Sequence, residues 1–153
     1  LQKYAPDRFL HVLEELGSLL VKSHALADIR PVLKEHLRRD SVWGDHGRIV
    51  LLAGIVDGTK VPFAPLFEQN SEAHHNVEAV LETARMMAGN PAEQLTSRLD
   101  SIKLLGNTSF DQDGNRLISL LDSAQADEVR IAAIAASVPV LAKRTRPADG
   151  TIF

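Results

Sequence analysis

Two histidines and a glutamate in the middle of the chain are the first candidates for chemistry. His74 and His75 are adjacent, and Glu78 follows His74 by four residues. On a helix, His74 and Glu78 would lie one turn apart, where they could share a metal ion or serve in a hydrolytic site. The spacing differs from that of His-Glu-x-x-His, and the sequence indicates no third ligand. We favour the simpler interpretation that these residues form the polar start of a surface helix.

An acidic segment further along the chain is the second candidate. Asp111, Asp113 and Asn115 place oxygen donors at alternate positions, as the opening of a calcium loop does, and Asp122 is twelfth when Asp111 is counted as first. However, Arg116 stands where an EF-hand requires glycine, and aspartate is shorter than the usual glutamate at the twelfth position. We favour a turn in which Asp113 or Asn115 caps the following helix.

The remaining composition excludes several kinds of site and partner. The 153 residues include no cysteine, which excludes disulfides, thiol catalysis and thiolate metal sites within this stretch. Neither a Gly-x-Ser-x-Gly turn nor a Gly-rich phosphate loop occurs, and we expect no cofactor. The formal net charge of −3 indicates no excess of positive charge of the kind that binds the phosphates of a nucleic acid. No apolar run approaches the roughly 18 residues that span a bilayer, so we expect no direct membrane insertion.

The elements that must position these residues are predicted to be helices. Hydrophobic residues make up 44% of the chain but aromatic residues only 5%, a balance typical of all-α domains. One helix is predicted over residues 72–88, with a start signal at Ser71 and an apolar stripe formed by Val77, Val80, Leu81, Ala84 and Met87. The clearest helix begins at the acidic pair Asp127-Glu128 and ends before Pro139. Its apolar residues recur at i, i+3, i+4 and i+7 and form one stripe, namely Val129, Ala132, Ala133 and Ala136.

Helix signals and prolines also divide the chain into regions. We predict N-terminal helices over residues 1–58, an irregular connector with two prolines over residues 59–71, helix pairs over residues 72–139, and a poorly ordered tail over residues 140–153. The chain begins with Leu1 and not with Met, and we interpret it as one continuous helical domain cut from a longer protein.

The later helices show signs of an internal repeat. Aligning Arg98 with Arg130, an offset of 32 residues, also aligns Ile102 with Ile134. A repeat of one helical unit buries equivalent positions between successive units. We therefore expect Ile102 and Ile134 to face a shared core between successive helix pairs.

The acidic-Val-Arg start and Ala-rich continuation of residues 127–136 resemble the second helix of a HEAT-type repeat. The resemblance implies an irregular HEAT-like α-α superhelix of antiparallel helix pairs. It also implies that Arg98 and Arg130 brace neighbouring turns or repeats through hydrogen bonds, with Asp100 or Asp127 as partners.

The chain as a whole is similar to the helical segment of large planctomycete-type membrane-bound dehydrogenases. In that family a β-propeller precedes the helical repeats and a c-type cytochrome domain follows them. The similarity lies in Arg8-Phe9-Leu10 with Leu13, in Trp43-Gly44, and in residues 98–106 and 117–122. It implies an extracytoplasmic location and assigns the redox chemistry to neighbouring domains.

Two hypotheses of different classes follow. The first is a non-catalytic helical-repeat scaffold or protein-interaction segment, whose partners are flanking domains or another protein. The alternative is a small all-α metal-binding or hydrolytic domain that uses His74, His75 and Glu78. The repeat pattern and the lack of a recognisable catalytic motif favour the first.

Overall fold

A computed structural model describes residues 7–23, 26–59 and 71–145 of the chain. These ranges are helical and contain no strand, which confirms the all-α prediction. A π-helical turn over Phe110–Gly114 leads directly into the sixth α-helix. The described ranges contain seven α-helices, namely α1 (Asp7–Ser23), α2 (Leu26–His36), α3 (Gly44–Thr59), α4 (Glu72–Gly89), α5 (Leu95–Leu105), α6 (Asn115–Ser119) and α7 (Asp127–Thr145).

The odd-numbered helices pack side by side in a row. Helix α1 packs mainly on α3, α3 also packs on α5, and α5 packs on α7. Helix α2 packs on α4, and α4 contacts both α3 and α5. The π-helical turn and α6 lie against α7. Helices α3 and α5 therefore link α1 to α7 in this series of contacts, and α1 also contacts α5 through Glu14 and Lys103.

Helix α3 forms the centre of the molecule because it is apolar on every side. A helix that is hydrophobic all round is expected to be buried on all sides. Seven apolar residues of α3 are buried, namely Ile49, Val50, Leu51, Leu52, Ala53, Ile55 and Val56. Glycines allow α1 to approach it closely. A Cβ atom at Gly54 would collide with the backbone carbonyl of Glu14, and one at Gly17 would lie 2.6 Å from the carbonyl oxygen of Leu51.

Helix α4 follows the sequence prediction closely. The Ser71 hydroxyl accepts a hydrogen bond of 3.1 Å from the backbone N–H of His74, which caps the helix at its first turn. The predicted apolar stripe is buried in full and consists of Val77, Val80, Leu81, Ala84 and Met87. The predicted connector before it lies mostly outside the described residues, because only Thr59 and Ser71 at its two ends are included.

The C-terminal helix is longer than predicted. The prediction that it ends before Pro139 is wrong, because α7 continues through this proline to Thr145. Pro139 is exposed, while Ala136 and Val140 on either side of it are buried in the core. Burial of these side chains offsets the backbone hydrogen bond that the proline removes. Residues 140–145 are therefore not part of an irregular tail, and residues 146–153 lie outside the described residues.

Two further predictions need correction. Ile102 is fully buried as predicted, but Ile134 is 55% exposed and faces away from the core. The helix after residue 108 is capped by neither Asp113 nor Asn115. Ser109 is the cap, in a capping box with Gln112. The helical segment begins earlier than predicted, because a π-helical turn over Phe110–Gly114 precedes α6. No helix within the described ranges is long and apolar enough to cross a membrane.

Candidate functional site

The two histidines predicted as metal ligands lie in the first turn of α4. His74 is half-buried and His75 is exposed, and the centroids of their rings are 6.1 Å apart. Glu78 lies one turn further along the same helix. Across the parts of the chain that the structure describes, no group of three or more His, Asp or Glu side chains is arranged to hold a metal ion. His74, His75 and Glu78 thus share one helix, and no described residue of another element joins them to form a metal site.

The predicted calcium segment is organised around an ion pair. The side chain of Asp113 is fully buried and its two oxygens accept hydrogen bonds from Arg85, 2.8 Å from Nε and 3.1 Å from Nη2. Asp111 and Asn115 are exposed. The hydrogen bond with Asp113 raises the pKa of Arg85 above its ordinary value, although burial acts in the opposite direction. Asp113, the fully buried carboxylate among the predicted calcium ligands, is therefore paired with Arg85 of the protein itself.

The two repeat-matched arginines differ in their surroundings. Arg98 is buried and donates from Nε to the carbonyl oxygen of Ala88 at 3.2 Å and from Nη2 to the side-chain oxygen of Gln125 at 2.7 Å. It joins the end of α4 to the loop before α7. Arg130 is partly exposed and pairs with Asp127 one turn earlier on its own helix. Arg98 thus connects separate elements, whereas Arg130 makes a contact within one helix.

A buried histidine that the sequence analysis overlooked joins α3 to α5. His46 is almost completely buried; its Nε2 lies 2.7 Å from Oδ2 of Asp100, and its Nδ1 lies 3.3 Å from Oγ of Ser97. The order serine, histidine, aspartate resembles that of a hydrolase triad. Ser97 is itself fully buried in the first turn of α5, where a substrate carbonyl cannot reach its hydroxyl. The arrangement therefore acts as a polar bridge between helices, which satisfies the hydrogen-bonding groups of a buried imidazole.

Three helices meet at a second polar contact. The ammonium group of Lys103 on α5 binds Glu14 on α1 and lies 3.5 Å from Asp57 on α3. Burial lowers the pKa of Lys103, but the hydrogen bond and charge of Glu14, together with Asp57, raise it above its ordinary value. A cleft of about 420 Å³ between α1, α3 and α5 has Glu14 and Asp100 in its wall. Both carboxylates are already engaged, one by Lys103 and the other by His46.

Exposed apolar residues are concentrated on α1 and α7. On α7 they recur at i, i+3, i+7 and i+10 and are 42–66% exposed; we call Ile131, Ile134, Val138 and Leu141 the α7 stripe. On α1 the same spacing recurs with 44–59% exposure; we call Phe9, Val12, Leu16 and Leu19 the α1 stripe. Isolated exposed apolar residues are ordinary on protein surfaces, but two aligned stripes are not.

The α7 stripe borders a concave surface. A cavity of about 320 Å³ is lined by Leu121, Asp127, Arg130, Ile131 and Ile134. Its lining therefore combines three apolar side chains with one acidic and one basic side chain. Surfaces that bind proteins likewise combine apolar and polar side chains.

Comparisons with known proteins do not assign this chain to a family. No family model, no curated protein and no solved structure matches it.

Proposed function

We propose that this chain is a non-catalytic helical scaffold whose helices α1 and α7 dock flanking domains or another protein. The observation that carries the proposal is the α7 stripe, which exposes four large apolar side chains in one line on the outer side of the last helix. Helix α7 already has a buried inner face against α5, formed around Val129, Ala133 and Ala136. A helix that is apolar on two opposite faces is suited to lie between two neighbours.

Contact of the two apolar stripes with water is unfavourable in free energy unless a partner covers them. Apolar side chains gain free energy when they leave water, and rows of them at a protein surface favour association. Solenoid proteins usually end in helices with a polar outer face, which keeps the last repeat soluble. Here α1 and α7 both carry an exposed apolar stripe. This supports a scaffold that continues into, or receives, other protein elements at its ends.

The same proposal includes a HEAT-like superhelix. The row α1–α3–α5–α7 and the second contact line of α2 with α4 are consistent with two layers of stacked helices. In this view Arg98 is the bracing arginine, and Arg130 borders the docking surface. We extend the proposal to the parent protein: redox chemistry of the dehydrogenase type would belong to neighbouring domains outside the cytoplasm, and this segment would hold them in position.

Photo-crosslinking tests the docking surface directly. A photoreactive amino acid replaces either Ile134, which is 55% exposed on α7, or Met86, which is 62% exposed on α4 outside both stripes. In the cells that naturally make the protein, we expect position 134 to yield one dominant crosslinked protein, identified by mass spectrometry. The added substitution Val138→Asp should abolish that product because a buried carboxylate would disrupt the apolar contact.

The position of Met86 is the matched control. It has similar exposure but no aligned apolar neighbours, so we expect no dominant product from it. Equal yields of the same products from positions 134 and 86 would contradict the proposal, because the α7 stripe would then be no more than ordinary exposed surface.

A further inference from the structure

We draw no further inference here: the strongest candidate, the exposed apolar stripe of α7 with the cavity beside Leu121 and Arg130, belongs to the docking surface already described, and nothing in the structure shows what covers it.

Discussion

Replacing Arg85 by methionine is expected to lower the free energy of unfolding by about 3–5 kcal/mol. The side chain of Asp113 is 0% exposed and that of Arg85 is 14% exposed. Methionine retains the length of the arginine stem but removes both hydrogen bonds to the carboxylate. A buried carboxylate without its close cationic partner is costly. Urea denaturation at neutral pH measures the effect.

Arg116→Met is the matched control for this prediction. Arg116 approaches the same carboxylate only to 3.8 Å, and its side chain is 47% exposed. Exposed ion pairs contribute about 0–1 kcal/mol, so we expect a loss in that range. Equal losses for the two variants would show that the buried pair of Arg85 and Asp113 has no special role in stability.

The repeat alignment treated Ile102 and Ile134 as equivalent, but truncating each to alanine should lower the free energy of unfolding by very different amounts. Ile102→Ala is expected to cost about 2–5 kcal/mol, because the side chain is fully buried and its removal leaves a cavity in the core. Ile134→Ala is expected to cost less than about 0.5 kcal/mol, because the side chain projects from α7 into solvent. The comparison is made by urea denaturation of both variants under the same conditions.

The result bears on the assignment of the two faces of α7. A loss of more than about 2 kcal/mol for Ile134→Ala would be typical of a buried position and would remove the α7 stripe as a docking surface. A small loss for Ile102→Ala would instead mean that α5 is packed differently from the structure described above.

The helices themselves could largely be predicted from local sequence. Helix α4 carries its own start signal at Ser71 and a single apolar stripe, so its ends and its buried face were both predicted correctly. The inner face of α7 was predicted on the same grounds, with Val129, Ala133 and Ala136 buried. Local chemistry and helical periodicity are sufficient where a helix has one apolar face.

The outer face of α7 could not be assigned from periodicity. Helix α7 is apolar on two faces, and a periodic pattern does not reveal which face meets the core. The alignment of Arg98 with Arg130 then assigned Ile134 to the core, although Arg98 is buried and Arg130 is partly exposed. The two helices are therefore not equivalent members of a repeat. The spacing of the α7 stripe is visible in the sequence, and it could have indicated a second contact face.

The buried polar contacts were beyond prediction for a different reason. His46 and Asp100 are 54 residues apart, and Arg85 and Asp113 are 28 residues apart. No local pattern links residues at such separations, because only the packing of α3 on α5 and of α4 near the π-helical turn brings them together. Burial decides whether such a residue is a surface charge or a structural ion pair, and burial depends on the whole fold.

Thiol labelling measures the central claim most directly, because the native chain contains no cysteine to interfere. The variants Ile134→Cys, Met86→Cys and Ile102→Cys each introduce one thiol, in the α7 stripe, on the exposed control surface and in the core respectively. We expect the thiol at position 134 to react about as fast as that at position 86 and much faster than that at position 102, because the first two side chains are exposed and the third is buried. A thiol at position 134 that reacts as slowly as the one at position 102 in dilute protein would contradict the account, since the proposed docking surface would then be part of the core.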